Sequence, residues 1–300
     1  MRQLSLITLI AVAGLSLATA PALANCEALD AKIRSAMDSG AVSELPALAK
    51  AIAAEPSCDG AYVDSAQRSM ALALLASGQS ANGSFDPATV EAAAAIARPW
   101  QVNAALGDLA YSRGDYATAV GAYEGAINEI RNVNLVPEPP SQEMELYLAK
   151  RAYQAKSLAP TYIASRGFRG EPAGVIVPKF RNFSAVTVPV PVRFLVNEAT
   201  LTPDGVSAVD DLFNFLSSQN VRKLKLIGHT DETGTAQYNR GLSQARAESV
   251  AAALRAKGYS ADIEIVGVGE TQPFEADDRS KYSQEDLYAF DRRVEFEVVE

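Results

Sequence analysis

The order of apolar and polar residues changes period once along this chain. From about residue 27 to 162 apolar residues recur at threes and fours, in ELPALAKAIAA, VDSAQRSMALALLA and VEAAAAIA, which predicts helix after helix. Punctuation at Asp38-Ser39-Gly40, Glu55-Pro56-Ser57 and Ser80 to Gly83 separates them, and strand signals are absent. Past residue 185 the pattern alternates. Val186, Val188, Val190, Val192 and Phe194 predict a strand, and Pro189 and Pro191 place its start at a sheet edge. Pro203 to Leu216 then reads as a helix, Lys223 to Ile227 as a strand, Thr235 to Ala256 as a helix, and Ile263 to Val268 and Val294 to Val299 as strands. The expected fold is α+β: an all-α, repeat-like region followed by a βαβαββ helix-on-sheet sandwich.

Between the two patterns, residues 165–184 mix Gly, Pro and Arg without a period and read as a linker. At the N-terminus one arginine precedes a long apolar run, and Ala22-Leu23-Ala24 stand before Asn25, the pattern of a secretory signal peptide cleaved after Ala24. The expected order is a leader at 1–24, a helical domain at 25–164, the linker at 165–184 and a sheet domain at 185–300. After the leader no stretch approaches the ~18 consecutive apolar residues of a membrane-spanning helix, so the mature chain is expected in an exported, periplasmic compartment.

In the helical region, Leu106-Gly107, Tyr111, Gly114-Asp115-Tyr116, Ala119, Tyr123 and Ala126 resemble one tetratricopeptide repeat. Small residues let two antiparallel helices approach, and the tyrosines fill the gaps between them. A lone hairpin cannot bury its apolar faces, so flanking helices are expected to stack on it, with Gln142 to Leu158 as a cap. An irregular helical bundle is the competing reading. Either arrangement offers a surface for a protein partner and no catalytic cluster.

The chain has two cysteines, Cys26 and Cys58, and an even count in an exported protein favours a disulfide between them. The alternative is lipidation of Cys26, since Leu23-Ala24-Asn25 precedes it, but asparagine fits that box poorly and Cys58 is then left alone. A net charge of −9 opposes general binding to nucleic acid or anionic lipid, both of which need clustered Lys and Arg.

The densest chemistry lies in GHTDETGTAQYN, Gly228 to Asn239, which holds the single histidine of the chain. On a helical wheel centred on Leu242, Tyr238, Ala245, Ser249 and Ala253 define a buried stripe. Arg246 lies at its edge, and Asn239 lies two turns earlier on that edge. Both point toward the loop of Asp231. An arginine on an apolar face needs a carboxylate or an array of carbonyls, and two readings meet that need: an internal Asp231–Arg246 pair, with Thr235 as helix cap and Gly234 as turn residue, or a ligand site. His229 reads as packing or turn hydrogen bonding, because no second histidine or nearby cysteine supplies metal-ligand spacing. No metal and no cofactor is expected.

At these residues a resemblance becomes specific. GHTDETGTAQYNRGLSQARAESVAAALRAKGY, IEIVGVGETQPF and DRRVEFEV are similar to the OmpA-like C-terminal domain, the peptidoglycan-binding module of OmpA-type porins, peptidoglycan-associated lipoproteins and flagellar motor B proteins, over about Val186 to Glu300. The resemblance implies that Asp231 and Arg246 clamp the free amino-acid end of meso-diaminopimelate in the peptide stem, with Asn239 as a supporting group and Thr230, Gly234 and Arg292 in the site. Two departures bear on the site: Asp291, where the family has asparagine, could pull Arg292 away from a ligand, and the long charged segment from Glu275 to Phe290 reads as a loop that could shade it.

These readings imply a non-enzymatic envelope protein, associated with peptidoglycan and placed at the inner face of the outer membrane, whose helical domain takes a protein partner. One alternative is a periplasmic assembly scaffold in which the helical region does the main work. A wall-cleaving enzyme is the third reading; a serine or cysteine triad is excluded by the lack of a second histidine and the pairing of the cysteines, whereas a single glutamate acid is not.

Overall fold

The computed structural model describes residues 21–165, 187–276 and 278–299. Residues 1–20 of the expected leader and residues 166–184 of the expected linker lie outside them. The chain forms two compact units that divide between Leu109 and Ala110, inside the segment resembling a tetratricopeptide repeat.

The first unit is built from α1 (Pro21–Ser39), α2 (Leu45–Ala54), α3 (Gly60–Ser77) and α4 (Pro87–Ile96), and α5 (Trp100–Ser112) begins in it. Helix caps follow two of the punctuated stretches within a few residues. Asp59 accepts from the N–H groups of Ala61 (2.9 Å) and Tyr62 (3.3 Å) at the start of α3, and Asp86 accepts from Thr89 N–H at 2.9 Å before Pro87 of α4. Ile33, Leu45, Ile52, Met70, Leu75 and Val90 are buried between these helices. Cys26 and Cys58 form the expected disulfide, tying α1 to the turn before α3.

The second unit opens with α6 (Tyr116–Ile130) and α7 (Gln142–Leu158), which pack on each other. It continues through β1 (Val188–Val190), α8 (Pro203–Ser218), β2 (Lys223–His229), α9 (Ala236–Ala256), β3 (Asp262–Gly269), α10 (Gln284–Asp291) and β4 (Val294–Val298). The sheet order is β1-β4-β2-β3, with β2 and β3 parallel and the other neighbours antiparallel. Leu224, Leu226, Val294 and Phe296 present one sheet face to Val209, Leu212 and Leu216 of α8 and Val250 and Leu254 of α9. The first strand is shorter than its valine pattern suggests, because its prolines leave only a three-residue edge.

Two expectations need correction. The buried residues of α9 are Asn239, Ser243, Arg246, Ala247, Val250, Ala251 and Leu254, whereas Tyr238 is half exposed. The buried stripe thus sits about a quarter of the helix circumference away from a stripe centred on Leu242. Glycines in the strands decide this: a Cβ at Gly228 falls 2.0 Å from the Ser243 carbonyl oxygen, and one at Gly267 falls 2.5 Å from the Gln244 nitrogen. The helix backbone rests on the sheet at Ser243 and Gln244, which turns Asn239 and Arg246 inward. Secondly, the charged segment from Glu275 to Phe290 is largely structured: Ser283 and Asp286 form a reciprocal capping box that starts α10.

Candidate functional site

Asp231 follows the end of β2 and is held from three sides. Its Oδ1 accepts the backbone N–H of Thr233 at 3.0 Å and the Thr233 hydroxyl, an arrangement that closes the turn before α9. Gly234 supplies the left-handed step of that turn at φ +104°, and Thr235 caps α9 by accepting from Tyr238 N–H at 3.2 Å. Asn239 donates to the Asp231 carbonyl at 3.3 Å and so fixes the loop from below. Asp231 Oδ2 accepts from Arg292 Nη1 at 2.9 Å, and Arg292 Nη2 donates to Glu285 of α10 at 2.7 Å. Burial pushes the Asp231 carboxyl up, but the bonds from Thr233 and Arg292 outweigh it and hold its pKa below the ordinary aspartate value.

Arg246 is 4 % exposed. Its Nε donates to the Glu198 carbonyl at 3.1 Å, and its guanidinium carbon lies 5.1 Å from the centre of the Phe194 ring. Among the described residues no hydrogen bond or ion pair to its Nη atoms is found, and the cation on the Asp231 carboxylate is Arg292 rather than Arg246. Burial, and then the nearby Arg292 charge, lower the Arg246 pKa from its usual value.

Asp231, Arg246, Asn239, Thr230 and Arg292 line one cavity of about 530 Å³ together with Phe194, Leu195, Tyr238 and Glu285. Thr230 is buried, with its N–H on the Gly269 carbonyl at 3.0 Å. Gly234 lies behind the lining, where a Cβ would meet Asn239 Oδ1 at 3.4 Å. His229 is fully buried beneath the site: its Nδ1 lies 3.2 Å from the Gln272 carbonyl oxygen, which can only accept, and its Nε2 lies 3.2 Å from Glu295 Oε2. Among the described residues no group of acidic, cysteine and histidine side chains is arranged to hold a metal.

Asp291 does not draw Arg292 from the cavity. It turns inward and accepts the Phe274 N–H at 2.6 Å, and burial raises its pKa. Sequence reasoning missed Glu198, Phe194 and Glu285. The first two lie on the 193–202 segment, where Asn197 at φ +58° makes a turn and Leu195 N–H bonds the Thr200 carbonyl at 2.9 Å. The turn residues VNEAT ahead of the Thr202 cap were the available signal. Glu285 was hidden in the segment read as a charged loop.

Residues 193–285 match the OmpA family. Outer membrane protein A of Escherichia fergusonii is 36% identical over 148 residues, spanning 45% of this chain and 61% of that protein. Outer membrane protein A of Citrobacter freundii is 32% identical over 179 residues, spanning 57% of this chain and 71% of the relative. Among solved structures, the peptidoglycan-associated lipoprotein from Burkholderia pseudomallei is 29% identical, covering 35% of this chain and 86% of that one, with a TM-score of 0.30. The chain spans about half the length of most curated relatives it matches. Among the described residues no helix is long and apolar enough to cross a membrane.

Proposed function

The chain belongs to the OmpA family, and from that premise we propose that its second unit binds the peptide stem of peptidoglycan by the free amino-acid end of meso-diaminopimelate. The observation that carries this reading is a buried guanidinium with its Nη groups unengaged among the described residues, in the same cavity as an ionised carboxylate. A zwitterionic head group fits that pair. Its carboxylate takes the Arg246 fork, and its ammonium takes Asp231. Arg292 occupies Asp231 Oδ2 in the free protein; as the ammonium enters, Arg292 turns toward Glu285, which already holds its other amino group. Chemistry on the ligand is not required by this arrangement, and the role we assign is attachment. The first unit, in the same proposal, carries a protein partner and thereby places that partner against the wall in the envelope.

Sacculus pulldown tests both parts. Asp231→Ala and Arg246→Ala are each expected to weaken binding about tenfold to a hundredfold, the value of one charge-assisted hydrogen bond, with melting temperatures near the parent's. Removing residues 25–109 is expected to leave sacculus binding and abolish co-recovery of envelope proteins. Parent-like binding by both point variants, or loss that tracks unfolding, removes the ligand reading; unchanged co-recovery without 25–109 removes the partner reading.

A further inference from the structure

Helix α7 lies outside the segment that matches the OmpA family, yet it reaches both walls of the cavity. On one side the Tyr153 hydroxyl donates to the Phe290 carbonyl at 2.9 Å. Phe290 stands in the last turn of α10, where carbonyls have no partner within the helix, so Tyr153 satisfies a group that burial otherwise leaves stranded. The Tyr153 ring packs 4.9 Å from Phe274, which with Leu287 and Phe290 completes a buried cluster. The Phe274 N–H in turn holds Asp291. The chain from Phe290 to Asp291 is thereby fixed, and the next residue is Arg292, seated on Asp231.

On the other side Arg193 donates to the carbonyls of Lys156 (3.3 Å), Ala159 and Pro160 (3.0 Å) at the end of α7, and to Asp204 at 3.0 Å. A cation there also meets the negative end of the helix dipole. Arg193 begins the segment that carries Phe194 and Glu198, the partners of Arg246. Ser157 of α7 itself lines the cavity. Buried polar contacts secure the helix in place: Lys156 Nζ lies 2.6 Å from Glu124 Oε1, and Tyr162 donates to Asp211 of α8 at 2.5 Å.

We propose that α7 is a working part of the stem-binding site, and that Tyr153 is a positioning residue that holds Arg292 against Asp231 through α10. This rests on the reading of the cavity given above. It makes the binding module of this chain larger than its sheet domain, with one wall supplied by the helical region.

The test uses the full mature chain as Tyr153→Phe, Arg292→Gln and the double variant, with melting temperature recorded for each. Two quantities are read: the titration of the Asp231 carboxyl by carbon-detected NMR without ligand, and affinity for a stem tripeptide ending in meso-diaminopimelate. Tyr153→Phe removes one oxygen and is expected to raise the Asp231 pKa and, because Arg292 competes with the ligand ammonium for Asp231, to strengthen tripeptide binding about two- to tenfold, the range of one neutral hydrogen bond. Both effects are expected to vanish in the Arg292→Gln background. Tyr153→Phe effects of equal size with and without Arg292, or none on the Asp231 titration, overturn the proposal. Should the parent fail to bind the tripeptide, the stem reading falls, while the ligand-free titration still decides the role of Tyr153.

Discussion

The two compact units bury different things. Up to Leu109 the interior is aliphatic, drawn from Ala, Leu, Ile, Met and Val, and among the described residues its buried polar side chain is Asn103, which donates to the Arg98 carbonyl at 3.0 Å. From Ala110 onward the interior holds Glu124, Lys156, Asp211, His229, Asp231, Asn239, Arg246, Asp291 and Arg293. An aliphatic interior asks only for volume and shape, and tolerates exchange of similar side chains. A polar interior works only as matched sets, because each member left without its partner costs its full desolvation. The contrast separates a region selected for packing from one in which chemistry is held in place.

Three measurements press on that contrast, beginning with the largest effect. Gly228→Ala puts a methyl 2.0 Å from a backbone carbonyl in the second unit, and is expected to cost more than about 4 kcal/mol, leaving that unit unfolded in circular dichroism and urea melts at room temperature. A parent-like melt would mean that α9 lifts off the sheet cheaply. Reduction of Cys26–Cys58 should come next: it is expected to remove about 3 to 4 kcal/mol from the first unit, moving one calorimetric transition and leaving the other in place. Movement of both transitions would show that the units unfold together. The third concerns acid. Burial opposes ionisation of Glu295, but His229 and Arg293 outweigh it and bring its pKa down to about 2. Since the folded value lies below the unfolded one near 4.5, its contribution is complete above pH 4.5 and lost as pH falls through 2, an effect of about 3 kcal/mol. Glu295→Gln is expected to start less stable and to lose less between pH 5 and pH 2 in urea melts; equal losses would show that other carboxylates set the acid limb.

Much of the second unit is legible in the sequence because its periods are clean. Pro203 after Thr202 marks the start of α8, the Asp231 turn is spelled out by Thr233, Gly234 and Thr235, and Leu224, Leu226, Val294 and Phe296 alternate as a sheet face should. Three polar residues of the cavity were also readable, since Asp231, Asn239 and Arg246 come from one turn and the helix it starts. What stayed hidden depends on contacts remote in sequence. An alanine-rich helix has no strong face of its own, so α9 takes its orientation from glycines on two strands. The exchange partner of Asp231 comes from sixty-one residues away, and Glu198 offers a backbone carbonyl, which no side-chain pattern encodes. Tyr153 lies in the stretch read as a helical cap, and its hydroxyl ends on α10.

The ladder beneath Asp231 has a mechanical consequence. β2 is bonded along its length on both sides, to β3 from Lys223 to His229 and to β4 from Leu224 to Gly228. These bonds run across the strand axis. A pull delivered through Asp231 along that axis therefore strains them all at once, rather than opening them one after another from an end. Edge strand β1, with its three paired residues, has no such reserve. Load taken at the end of β2 is shared by β2, β3 and β4, which suits the attachment role proposed above.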